Sequence, residues 1–158
     1  MTIGNHAAIE SSSARRENKA VDASRYLVPA GRLLFVAIFL SSVPMHFSRA
    51  GVDYAAQQGV PLANVLVPIS GVLALLGGLS VLLGYHARVG AVLLALFLVP
   101  VTLMMHKFWD IAEPMQRQMQ QIMFAKNVSM LGATLMLMYF GAGPVSVDAR
   151  RPLNERLL

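Results

Sequence analysis

Two stretches of this chain, residues 63–85 (ANVLVPISGVLALLGGLSVLLGY) and 89–105 (VGAVLLALFLVPVTLMM), contain no charged side chain. A helix rises 1.5 Å per residue, so either stretch covers roughly 25 to 35 Å, matching a hydrocarbon core of about 30 Å. Two further apolar runs flank them: residues 27–47 (LVPAGRLLFVAIFLSSVPMHF), interrupted by Arg32, and residues 122–140 (IMFAKNVSMLGATLMLMYF), with Lys126 and Asn127 near the start. The fold expected is all-α, a four-helix transmembrane bundle with short amphipathic helices in the outer loops. Composition agrees, because the 158 residues are 56% hydrophobic and 13% charged, whereas a soluble domain carries about 25% charged residues.

Residues 1–25 show no helical or strand period and read as a disordered basic cytoplasmic tail, with 26–148 as the membrane domain and 149–158 as a second cytoplasmic tail. The first apolar run starts too late for a secretory signal peptide, so it is expected to remain as a span. Gly84-Tyr85-His86-Ala87-Arg88 leaves room only for a tight reversal, which makes the second and third spans antiparallel neighbours. The loops at 48–62 and 106–121 emerge together on the opposite side, each long enough for a short surface helix. Of the thirteen basic residues, nine fall on the side of the termini and four (Arg49, Lys107, Arg117, Lys126) on the other, which predicts that both termini are cytoplasmic. On the same logic Arg32, near the end of the first span, is expected to reach back to lipid phosphates. Ala87, Ala91 and Ala95, Ala74 and Gly78, and Ser129 and Ala133 repeat a small-residue spacing that lets helices approach closely in lipid.

The absence of cysteine excludes disulfides, thiolate metal ligation and thiol exchange. A net charge of +5 is scattered between apolar blocks rather than gathered in a stripe, which argues against nucleic acid as a partner and for a lipid bilayer. No Walker, GxGxxG, HExxH or GxSxG motif occurs, and no CxxCH for covalent haem. The methionines at 115, 119 and 123 follow helical spacing and suit core or lipid contacts better than copper.

With this orientation the unusual side chains collect on the outer face: His46, His106, Trp109, Asp110, Lys126 and Asn127. These are the candidate cofactor-binding residues. His106 and Asp110, four apart, share a face if the helix continues, forming a proton-handling pair beside an aromatic wall that suits a quinone head group. The alternative is plain interfacial anchoring by Phe108 and Trp109. Lys126 calls for a partner, and Asp110 and Glu113 are the natural ones. At the other face, Gly141-Ala142-Gly143-Pro144 ends the fourth span, and Asp148 is placed to clamp Arg88 or Arg32.

GRLLFVAIFL (31–40), GVP (59–61), GGLSVLLGYHARVGA (77–91), MFAKN (123–127) and GAGPVSVD (141–148) resemble, in order, the DoxX family of small four-span bacterial membrane proteins. The resemblance implies an inner-membrane bundle attached to redox systems, with relatives that serve thiosulfate:quinone oxidoreductase or assemble with superoxide dismutase and a sulfurtransferase. Arg32, Gly84, Lys126, Asn127 and Asp148 fall on matching positions. Ala74 departs from the pattern, standing where many relatives carry a glutamate before the paired glycines.

Two functions follow as expectations. One is a membrane subunit of a quinone-linked redox complex, with quinone as cofactor and an outer-face pocket. The other is a non-catalytic scaffold or assembly factor that docks membrane or redox partner proteins, with a homo-oligomer left open. Convergence of the outer polar side chains on a pocket favours the first, and divergence into solvent the second.

Overall fold

The computed structural model of the chain describes residues 24–150. The two tails expected at 1–25 and 149–158 lie almost wholly outside these residues. Among the described residues all regular structure is helical: α1 (Leu27–His46), α2 (Arg49–Gln57), α3 (Ala63–Leu83), α4 (Ala87–Met105) and α5 (Pro114–Phe140), with single 3-10 turns at Phe108–Asp110 and Asp148–Arg150. Four of them, α1, α3, α4 and α5, are long and apolar enough to cross a membrane. Their flanks carry Leu34, Leu96 and Leu135 more than half exposed at mid-helix, a belt that would aggregate in water and is at home in acyl chains.

The helix ends are written in the sequence. Ser48 caps α2 by accepting the amide of Gly51 at 3.0 Å. Glu113 caps α5, its carboxylate accepting the amides of Met115 and Gln116 at 3.0 and 2.6 Å, with Pro114 in the first turn. The loop expected at 106–121, with its short surface helix, thus gives residues 114–121 to the first two turns of one 27-residue helix. At about 40 Å that helix exceeds the hydrocarbon core, so its polar beginning stands clear of it.

The spans pack in the order α1, α3, α4, α5, while α1 and α5 scarcely touch. The core lies where the first three meet, with Val36 and Phe39 of α1, Ala74 and Val81 of α3, and Leu94, Phe97 and Leu98 of α4. From α5 only Asn127 and Thr134 are buried; this helix leans on α4, and its Met130, Leu131 and Leu137 pack against the core from the side. A smaller cluster of Val52, Ala55, Ala63 and Val67 seats α2 on the start of α3.

Small residues set the closest approach. Gly77 and Gly90 face each other across the α3–α4 crossing, where a Cβ on Gly90 would collide with the Ser80 hydroxyl and come 3.0 Å from the Gly77 carbonyl. Ala74, Ala87 and Ala91 are fully buried as their spacing suggested, whereas Ser129 of α5 is exposed and a Cβ on Gly132 would meet nothing. The same substitution therefore has opposite signs at two glycines. Gly90→Ala should cost about 1–3 kcal/mol through overpacking. Gly132→Ala should gain up to about 1 kcal/mol from helix propensity. Thermal unfolding of the purified variants in detergent reads both.

Candidate functional site

At the end of the bundle that carries α2, an open cleft of about 490 Å³ lies between α2 and the first turns of α5. Its polar lining is uncharged for the most part, with Tyr54, Gln57 and Gln58 on one side and Gln116 and Gln120 on the other. Lys107 and Asp110 stand at its edge, and Met105, Met115 and Met119 form an apolar wall. Lys107 donates from Nζ to the carbonyl of Gln58 at 3.2 Å, which ties the chain after α2 to the chain after α4.

The expected site residues divide. His106 reaches the cleft through Gln120: its Nδ1 lies 2.7 Å from Oε1, and the ring must donate because an amide oxygen only accepts. Asp110 borders the cleft, but α4 stops at Met105 and His106 leaves helical geometry (φ −123°, ψ 46°), so the two do not share a helix face. Trp109 stacks edge-on with Phe108 and Phe124, centroids 5.1 and 5.9 Å away, and is half exposed outside the cleft lining. His46 turns to α4, its ring 5.4 Å from Phe97 and its Nδ1 2.9 Å from the Ser42 carbonyl. Lys126 is exposed, with its Nζ 3.5 Å from Met123 Sδ. It pairs with neither expected acid, because Glu113 is engaged in the cap of α5. Asn127 is buried, on the line of α5 that also carries Gln120 and Thr134. Reading the sequence missed the cleft glutamines Gln57, Gln58 and Gln116, and also Gln120. Its spacing of seven from Asn127, and of Asn127 from Thr134, was the available signal.

The opposite end is tied together by hydrogen bonds around an open hollow of about 380 Å³, which His86, Arg88, Phe140 and Asp148 help to line. Arg32 does not reach lipid phosphates. It is 4% exposed and donates to the carbonyls of Ala142 at 2.9 Å and Val145 at 2.7 Å. The segment after α5 is non-helical there, with Gly141, Gly143 and Val145 at positive φ, so its carbonyls need an outside donor. Asp148 then caps α4, accepting the amides of His86 at 2.8 Å and Ala87 at 3.0 Å. The expected clamp of Asp148 on Arg88 or Arg32 does not form, because its carboxylate is taken by these backbone amides. Arg88 instead donates to the carbonyl of Tyr139 at 3.2 Å. Gly84 fits beneath Arg32 only because it lacks a side chain, since a Cβ there would strike the guanidinium.

Four apolar helices bound by caps and small-residue contacts define the class: an all-helical integral membrane protein with a polar cleft at one end. The chain belongs to the SURF4 family, whose model matches residues 6–152. It is also 31% identical over 99 residues to a protein named inner membrane protein YphA of Escherichia coli (strain K12), a match covering 63% of this chain and 70% of that one. No solved structure matches significantly. The DoxX assignment is thereby corrected to SURF4, and the redox association that came with that resemblance loses its basis.

Two variants test the end tied by Arg32 and Asp148. Arg32→Met leaves two carbonyls without their charged donor and should cost about 2–4 kcal/mol. Asp148→Ala removes only a cap and should cost about 1–2 kcal/mol. The order of their thermal midpoints in detergent checks the assignment.

Proposed function

We propose that this protein is a membrane subunit that binds the head group of a lipophilic carrier of the quinone class in the cleft between α2 and α5. The supporting observation is the cleft's chemistry: neutral amide donors from Gln57, Gln58, Gln116 and Gln120 beside a methionine wall. A quinone head presents carbonyl acceptors to such donors and an apolar ring to such a wall. The bond from His106 to Gln120 fixes one amide, and Asp110 stands at the mouth where protons exchange with water.

In this reading the cleft faces away from the cytoplasm in a bacterial inner membrane and both termini are cytoplasmic. The relative named as an inner membrane protein supports that location. With Arg32 withdrawn into the bundle, the basic residues still divide eight to four in favour of the side of the termini. The competing reading, a scaffold without a ligand, draws on the exposed Ala125, Ser129 and Gly132 of α5, a face open to another helix.

Trp109 is the chain's only tryptophan and lies beside Asp110 at the cleft edge, so its fluorescence serves as the reporter. Titration of the detergent-purified full chain with a decyl-substituted benzoquinone should quench it saturably, and Gln120→Leu should weaken binding about tenfold. Quenching that only rises linearly, as for free tryptophan in the same micelles, would favour the scaffold.

A further inference from the structure

Asn127 is a buried amide without an evident use. It is 5% exposed in a helix long and apolar enough to span a membrane, and it makes no side-chain hydrogen bond among the described residues. Of the other buried polar side chains of the spans, Thr134 bonds the carbonyl of Leu131 at 2.6 Å and Thr102 that of Leu98 at 2.6 Å, while Arg32 donates to two carbonyls and keeps its Nε unpaired. An amide left unpaired in an apolar setting is costly, which selection has reason to remove unless something pairs with it.

Its position indicates what does. Asn127 lies seven residues below Gln120 on the inward line of α5, about 10.5 Å along the axis at 1.5 Å per residue. Cα–Cβ bonds tilt toward a helix's N-terminus, which for α5 is the cleft end, so the Asn127 side chain leans toward the cleft. Along their lengths α1 and α5 make little backbone contact with each other. The neighbourhood is also neutral, because Lys126 is turned outward onto Met123.

We propose that the side-chain amide of Asn127 is the inner hydrogen-bonding point for a neutral, carbonyl-bearing head group entering from the cleft. This rests on the reading of the cleft given above and adds the depth and the second contact of the ligand. Gln120 holds one end of the head group and Asn127 donates to a carbonyl at the other.

The test compares wild-type full chain with Asn127→Leu, similar in volume and unable to hydrogen-bond. The decyl-substituted benzoquinone is the probe and Trp109 quenching the readout, with the infrared carbonyl stretch of the bound probe recorded in parallel. The expected result has two parts. The Asn127→Leu protein should bind at least tenfold more weakly and lose the shift of one carbonyl band, while its unliganded thermal midpoint holds or rises because a stranded amide has gone. Equal affinity in the two proteins would overturn the role of Asn127 and leave the cleft reading standing. A fall in the unliganded midpoint would also overturn it, by showing that the amide is engaged within the bundle. Absence of saturable binding by the wild type would remove both readings.

Discussion

A hydrocarbon core offers no partner to a backbone N–H or C=O, and the ends of this fold are shaped by that constraint. The spans satisfy it internally as helices. The difficulty is the segment after α5, where glycines at positive φ take the chain out of helix while it still lies over the bundle. Arg32 answers it by reaching across from α1 to two carbonyls, and Asp148 in turn accepts the first amides of α4. Burying a guanidinium is costly on its own, and hydrogen bonds to carbonyls together with the nearby Asp148 carboxylate are what make it tolerable. One end of the bundle is thereby tied together.

The other end is built on different terms. There α2 and the first turns of α5 stand apart, joined by the Lys107 contact, and the polar groups between them are mostly amides. Amides hydrogen-bond without carrying charge, so they suit the boundary between head groups and acyl chains, where ionised groups are expensive to desolvate. The line Gln120, Asn127, Thr134 carries this polarity inward along α5.

The four spans were legible in the sequence because length and hydropathy alone define them. The start of α5 was not, since Gln116, Arg117 and Gln118 dilute the apolar pattern, although Glu113-Pro114 already spelled its cap. Arg32 read as a residue bound for lipid phosphates because its acceptors lie 110 or more positions away in an irregular segment that no periodicity reveals. The proximity of His106 to Asp110 in sequence suggested a pair, but a helix end at Met105 redirected the ring to Gln120. The family assignment failed for a related reason. Short glycine and small-residue motifs express the packing needs of membrane helices in general, so they do not distinguish one four-span family from another.

The account depends most on α2 and the loop before α5 facing one compartment while the α3–α4 turn and the segment at 148–150 face the other. The natural chain has no cysteine, so single replacements can be labelled without background. Gln57→Cys and Gln116→Cys should react in intact cells with a membrane-impermeant maleimide. Tyr85→Cys and Ala149→Cys should react only after the membrane is opened. Labelling of Gln57→Cys and Tyr85→Cys from the same side would contradict it.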